Sequence, residues 1–342
     1  MTNFFEYSLK ALETVVQDAG AKQYAARQIY QWVYQHGILD FHAMTNLPKP
    51  LRSALDEQFS FDLPEVSEIV HSQDGSIKFA FSMDRGHVVE TVLMPEKGRN
   101  TLCVSTQIGC KMACQFCVTG QIGFVRDLAV AEIIGQIMAV KRHLRAKRIT
   151  NIVFMGMGEP LDNAQNLLQA LEILQEQTGL DFSWRRITVS TVGLLDGLRM
   201  IAPRQAQIAI SLNAADEAGR TALMPINRIY PLRDIVAYVR TLKGMGRQRV
   251  TFEYVLLKDV NDSLDDARAL ADVLAGVRCK INLIPYNASP YTRFKASDGE
   301  TVERFQQYLI DRNFTTIVRE SHAKDIGGGC GQLGMKYLEG KR

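Results

Sequence analysis

Nowhere in its 342 residues does this chain hold a run of about 18 apolar residues, so the sequence offers no transmembrane helix. Its first ten residues carry three aromatics and an acid and lack the basic-then-apolar layout of a signal peptide. A cytoplasmic protein without a membrane partner is the expectation. Glycine (25) and proline (10) stay at ordinary levels, which argues against collagen-like and low-complexity chains. No internal repeat with a period of roughly 20–50 residues is visible, which argues against a solenoid. Cysteine is sparse, with six in the whole chain. Without a secretion signal, that count points to thiol or metal chemistry rather than to a disulfide framework. Neither sign of charge dominates, and a net charge of +3 is a weak pointer to a polyanionic partner.

What is present has a clear order. Residues 1–70 read as a small helical accessory domain: 25–35 carries Ile29, Trp32 and Val33 at helical spacing, Leu47-Pro-Lys-Pro interrupts, and 51–59 resumes. Residues 71–98 read as a β-hairpin linker, two alternating strands around Asp84-Arg85-Gly86. From 99 to the C-terminus, short apolar strands alternate with amphipathic helices. The strands fall at 101–105, 151–155, 187–190, 207–212, 250–256, 280–284 and 315–319, and the helices at 130–144, 163–177, 232–242, 263–275 and 301–312. Strict alternation means a parallel sheet with crossover helices. Six or seven such units predict an α/β fold, a partial (β/α) barrel, with its active site at the C-terminal strand ends.

Cys110, Cys114 and Cys117 follow the first strand of that region in a C-x-x-x-C-x-x-C pattern. Three thiolates from one loop can hold three irons of a 4Fe–4S cubane and leave the fourth open. An open iron can chelate S-adenosylmethionine (SAM) and reduce its sulfonium to release a 5′-deoxyadenosyl radical. The competing assignment is a structural zinc site, but zinc usually takes paired C-x-x-C halves, and no second half exists here. Phe116 can shield such a cluster or belong to the core.

Met155-Gly-Met-Gly-Glu-Pro160 follows the next strand. Gly158 and its neighbour Gly156 allow a ligand close to the backbone, and Glu159 can accept from the methionyl ammonium of SAM; as an isolated motif the segment is a turn. Ser190-Thr191, Ser211-Leu212-Asn213 and Asn287 put polar groups at three more strand ends. They can cap the following helices or converge on SAM, and both readings stand. Lys141, Arg142, Arg145, Lys147 and Arg148 crowd one helix end, with Trp184-Arg185-Arg186 and Arg247-Gln248-Arg249 as smaller basic clusters. A solvated helix end and a phosphate-facing patch both fit.

Over nearly its whole length the chain resembles the radical SAM RNA methyltransferases that methylate carbon 2 of adenine in large-subunit ribosomal RNA and transfer RNA. The carrying stretches are Val89-Glu-Thr-Val-Leu-Met-Pro95, Leu102-Cys-Val-Ser105, Gly109 to Cys117, Phe154 to Pro160, Met224-Pro-Ile-Asn227, Ile281 to Asn287 and Cys330-Gly-Gln-Leu333. The resemblance implies one 4Fe–4S cluster per chain and two SAM molecules consumed per methylation. Cys330 would take a methyl from the first SAM, as a thiolate displaces it from sulfonium. The second SAM would give the radical that abstracts hydrogen from that methyl, and the resulting methylene would add to adenine. Cys103 would then attack the sulfur and release product as a disulfide, with Glu90 taking the carbon-2 proton. It also implies SAM contacts from Gly158, Glu159, Ser190, Ser211, Leu212, Asn213 and Asn287.

RNA would be met by the basic stretch and the helical domain, with the target adenine unstacked to reach the barrel. An external electron donor and a monomer complete the expectation. Two departures stand out: three glycines, Gly327 to Gly329, precede Cys330 and loosen its loop, and Asn213 stands where many members carry histidine. Cys279 matches no catalytic position. Competing functions are an adenine carbon-8 methyltransferase, a glycyl-radical-enzyme activase, and a non-catalytic Fe–S or zinc module that recognises RNA.

Overall fold

The computed structural model describes residues 1–144, 148–201, 206–242 and 249–339; Arg145, Lys147, Arg247 and Gln248 of the basic clusters lie outside them. Phe4 and Phe5 open the chain as a hydrophobic anchor. β1 (Thr2–Asn3) precedes them, and Ser8 then caps α1 (Leu9–Asp18) by accepting from the Ala11 N–H. α2 (Tyr24–Tyr30) runs on as a π-helical turn to Gln35, and α3 (Lys49–Gln58) starts behind Pro48 with Pro50 in its first turn. β2 (Phe59–Ser60) returns to pair in parallel with β1. Phe4, Phe5, Tyr30, Tyr34, Phe41 and Phe59 are fully buried and meet edge-on or tilted, so stacked aromatic area holds these short helices together.

The sheet follows. β3 (Glu65–His71), β4 (Ile77–Ser82), β5 (Val88–Glu96) and β6 (Arg99–Cys103) form an antiparallel meander. β7 (Gln107–Gly109) and β8 (Phe124–Asp127) make a small separate hairpin that brackets the cysteine loop and α4 (Val118–Ile122). α5 (Val130–Leu144), buried from Val130 to Val140, crosses back to β9 (Asn151–Phe154), which pairs in parallel with β6. The alternation then runs α6 (Ala164–Gln175), β10 (Ile187–Thr191), α7 (Leu195–Ile201), β11 (Gln207–Ser211), α8 (Glu217–Leu223), α9 (Leu232–Thr241), β12 (Val250–Leu256), α10 (Leu264–Val273), β13 (Cys279–Pro285), α11 (Gly299–Asp311) and β14 (Thr315–Val318), ending in α12 (Met335–Glu339). Strand order is β14-β13-β12-β11-β10-β9-β6-β5-β4-β3. β14 and β3 are its two edges, so the barrel is partial, as the alternation predicts.

Three features differ from the sequence reading. The hairpin at 77–94 is no free-standing linker: Val92 pairs with Cys103, which pairs with Val153, so hydrogen bonds run unbroken from the meander into the parallel strands. β3 begins at Glu65, inside the stretch taken as helical. Its Glu-Val-Ser-Glu-Ile-Val-His sequence hides the strand because an exposed edge tolerates charge and profits from it. α7 and α8, seven residues each, are too short to show a helical period. Among the described residues no helix is long and apolar enough to cross a membrane.

Candidate active site

The cysteine loop is held from both ends. A Cβ on Gly109 (φ +73°) would fall 1.7 Å from the Gly123 carbonyl, and that carbonyl accepts the Cys110 N–H at 3.0 Å; only glycine permits so close an approach. Ala113 adopts a left-handed φ of 52°, and the Cys117 N–H turns back onto the Cys114 carbonyl at 3.1 Å. Below the loop, fully buried Gln136 of α5 bonds Thr91 Oγ1 and both the N–H and carbonyl of Ser105. All three thiols face one cavity of about 920 Å³ at the C-terminal ends of β9 to β13. Burial pushes each of them up, and for Cys114 repulsion from Cys117 and Cys110 adds to it. Among the described residues no three His, Cys, Asp or Glu side chains converge on one point as a mononuclear site requires.

The same cavity gathers most of the other expected residues. Gly158, Glu159, Ser190, Ser211, Asn213 and Asn287 line it, from the ends of four different strands, and so does Phe116. Leu212 does not: it is fully buried and its N–H bonds the Glu253 carbonyl at 2.9 Å. Helix capping does not occupy the polar residues after β11 and β13, because Asp216 caps α8 and Asp298 caps α11.

Glu159 accepts the Leu161 and Val192 N–H groups (3.0 and 2.9 Å), one on each oxygen, which fixes the carboxyl and leaves further lone pairs toward the cavity. Burial nevertheless pushes it up to about 7. Gly156 and Gly158 are tight for a reason the motif did not reveal: a Cβ would sit 2.6 Å from Ser105 Oγ in the first case and 2.5 Å from Gln107 Cβ in the second. The close approach is made by the protein's own chain.

Asn213, in a left-handed conformation (φ 60°), accepts from the Val255 N–H and donates to Met224 Sδ. Beneath it, the fully buried Arg220 bonds the Val192 and Ser211 carbonyls and Asn227 Oδ1, tying the ends of β10 and β11 together. Sequence reasoning missed Glu253 of β12. It lines the cavity, takes the Ser190 hydroxyl on Oε2 (2.9 Å), and holds Oε1 3.5 Å from Arg319 Nη1. The signal was a lone carboxylate inside the apolar run of β12.

Cys330 lines this cavity and also a smaller one of about 390 Å³ behind it, together with Met155. The smaller cavity is lined as well by Cys103, Met94, Arg319 and Leu333. Both cysteines are free thiols. Burial pushes Cys103 up to about 12, the neighbouring Cys330 adds to this, and Arg319 opposes it. Burial likewise raises Cys330 against the pull of Arg319.

The glycines before Cys330 do not loosen its loop. Gly328 donates to the Ala323 carbonyl (2.8 Å) and Gly329 to Gln332 Oε1 (3.1 Å), and a Cβ on Gly328 would fall 2.7 Å from Ala323 Cβ. They are small because the loop is packed. Glu90 lines neither cavity. It lies buried on β5, where it accepts the Gly334 N–H at 2.6 Å and stands 3.0 Å from the Lys78 ammonium. Cys279 is buried at the start of β13.

Residues 104–271 match the radical SAM superfamily, and residues 2–60 match the ribosomal RNA large subunit methyltransferase N-terminal domain. Proteins named dual-specificity RNA methyltransferase RlmN are similar to the chain over almost all of it. The protein of Geobacter sulfurreducens is 46% identical over 95% of this chain and 90% of its own length. That of Syntrophus aciditrophicus is 41% identical over 99% and 98%. The chain belongs to this radical SAM RNA methyltransferase family. A crystal structure of a radical SAM methyltransferase from Sphaerobacter thermophilus superposes with a TM-score of 0.91 at 40% identity, covering 98% of this chain and 99% of that one.

A radical SAM enzyme uses a 4Fe–4S cluster and SAM, and the cavity of this methyltransferase suits both. Three buried or half-buried thiols on one loop can bind metal as thiolates, and in a cubane each ligates a different iron. Among the described residues, two buried acceptors on the cavity wall, Asn287 Oδ1 and Glu253 Oε1, have no hydrogen-bond donor, the latter facing Arg319 Nη1 at 3.5 Å as an ion pair only. Buried acceptors of that kind are normally satisfied, and the hydroxyls and amines of SAM are suitable donors.

Proposed function

We propose that this enzyme methylates carbon 2 of adenine in large-subunit ribosomal RNA and in transfer RNA, with Cys330 as the methyl carrier. The observation that supports this reading most directly is the placing of Cys330 on the wall shared by the two cavities, facing the three-cysteine end on one side and Cys103 on the other. A cluster held by Cys110, Cys114 and Cys117, with SAM beside it, would supply the 5′-deoxyadenosyl radical. Glu159, Ser190, Ser211, Asn213 and Asn287 orient the SAM.

The Cys330 sulfur displaces a methyl group from sulfonium and keeps it as a thioether at the junction. Transfer of a hydrogen atom from that methyl to the 5′-deoxyadenosyl radical would leave a methylene radical, whose carbon bonds to carbon 2 of adenine, so RNA and Cys330 are joined. Glu90 takes the carbon-2 proton, and the Cys103 thiolate attacks the Cys330 sulfur; the sulfur–methylene bond breaks with its electron pair on carbon, which takes up a proton to become methyl, the one unpaired electron returns to the external electron carrier, and a Cys103–Cys330 disulfide and methylated RNA remain. Both cysteines lining one small cavity supports that last pairing. The helical N-terminal domain and the basic end of α5 hold RNA phosphates. The enzyme acts as a cytoplasmic monomer with an external electron donor.

Mass spectrometry of nucleosides from a deletion strain tests the reading. The expected result is loss of 2-methyladenosine from both RNA classes. Loss of 8-methyladenosine instead would assign the other carbon, and unchanged adenine methylation would refute both.

A further inference from the structure

The sheet register puts three chemically unlike residues in one row. Lys78 of β4 is directly opposite Val92 of β5, and Val92 is directly opposite Cys103 of β6. Directly paired residues share a face of a sheet, and so do residues two apart on one strand. Lys78, Glu90, Val92 and Cys103 therefore lie on one face. The Cys330 loop covers it: a Cβ on Gly328 would come 3.4 Å from Val92 Cγ2, and one on Gly327 3.8 Å from Lys78 Nζ.

On this face Lys78 and Glu90 are an ion pair at 3.0 Å with side chains only 5% and 3% exposed. A lysine so buried is rare unless paired, because desolvating an ammonium is costly. Among the described residues neither partner has a second ion pair. The two carboxylate oxygens are used differently. Oε2 receives the Gly334 N–H at 2.6 Å. Oε1 faces the ammonium outside hydrogen-bond geometry and has no donor among the described residues. It is compensated in charge yet keeps an open acceptor direction, which is the condition a buried base needs.

We propose that Lys78 is the positioning residue for Glu90, holding its carboxyl group aimed beneath the Cys330 loop so that it can accept the proton from carbon 2 of the adduct. This rests on the reading of Glu90 as the base. In the step concerned, the carbon-2 C–H bond breaks, its electron pair stays with the adenine carbon, and the proton passes to a Glu90 oxygen. Lys78 sits on β4, a central strand of the meander, so the backbone that carries it is paired with a strand on each side. An ammonium removed from this site takes away the one ion pair that Glu90 has among the described residues, and with it the contact that fixes the direction of Oε1.

The test uses reconstituted full-length enzyme with SAM, reductant and transfer RNA from a deletion strain. Three quantities are followed: methyl on Cys330 by peptide mass, covalent enzyme–RNA adduct on denaturing gels, and 2-methyladenosine. Lys78→Met is expected to load Cys330 at the wild-type rate but to turn over at least tenfold slower, with adduct accumulating. Lys78→Arg is expected to restore turnover, and Lys78→Met with Glu90→Gln to be no worse than Glu90→Gln alone. If Glu90→Gln traps adduct while Lys78→Met turns over normally, the role of Lys78 is wrong and the base stands. Normal turnover by Glu90→Gln removes the base, and the proposal with it. Loss of Cys330 loading in Lys78→Met, or no rescue by arginine, marks Lys78 as structural and also overturns the proposal.

Discussion

Asn287 donates its side-chain amide to the Cys330 carbonyl at 3.1 Å and to Ser321 Oγ at 2.9 Å, while its Oδ1 is buried without a donor among the described residues. One residue at the end of β13 thus fastens the carrier loop and leaves an acceptor on the cavity wall. Sequence reasoning assigned it only the second task.

Replacing it should therefore disturb two processes together. Asn287→Ala removes both bonds to the loop, each worth about 1 kcal/mol. SAM affinity and methyl loading of Cys330 should both fall about tenfold, while iron content stays unchanged. Equilibrium dialysis and peptide mass measure the first two. Wild-type loading with weakened SAM binding would restrict Asn287 to the ligand.

The two cysteines of the small cavity have distinct expected phenotypes. Cys103→Ala should load Cys330 and then stall as a covalent enzyme–RNA adduct, because the attacking sulfur is gone. Cys330→Ala should form no adduct. Denaturing gels with labelled RNA separate the two, and identical behaviour of both variants contradicts the assignment of carrier and resolver.

The packed glycines make a further prediction. Gly328→Ala brings its methyl 2.7 Å from Ala323 Cβ, an overlap that should cost about 1–3 kcal/mol. Loop displacement should slow Cys330 methylation while cluster assembly on Cys110, Cys114 and Cys117 continues. If the variant matches the wild type in urea midpoint and loading, the loop is looser than its contacts indicate.

Glu159 gives stability a pH dependence in the metal-free, reduced protein. Burial raises its carboxyl from the ordinary 4.5 to about 7, so the folded chain keeps a proton that the unfolded chain releases. That contribution is fully present below about pH 4.5 and is lost as pH rises through about 7, with a size of roughly 3 kcal/mol. Urea midpoints at about pH 5 and pH 8 should differ less in Glu159→Gln than in the wild type. Equal differences would show that Glu159 is better solvated than its burial implies.

Legibility in the sequence followed the range of the interactions concerned. α5 and β12 occupy the residues their patterns predicted, because apolar periodicity over 15 and seven residues is a local property. β3 was hidden by edge charges, and α7 and α8 by shortness. Glu253 and Arg319 went unnoticed, since a single carboxylate and a single guanidinium have no period or spacing. Lys78 looked like an ordinary strand lysine until the register put it diagonally beside Glu90.

The sequence by itself determined the strand–helix alternation, the three-cysteine loop and the polar residues at strand ends. These depend on backbone period and on spacings of a few residues. Only the tertiary structure decided which of those polar groups share a cavity, that Cys330 faces two cavities, and that Glu90 is held between Lys78 and the Gly334 N–H, 244 residues away. Such contacts arise from sheet register and from the packing of the C-terminal loop onto the sheet. Both are set by the whole core burying its apolar surface at once, so no local stretch of sequence encodes them.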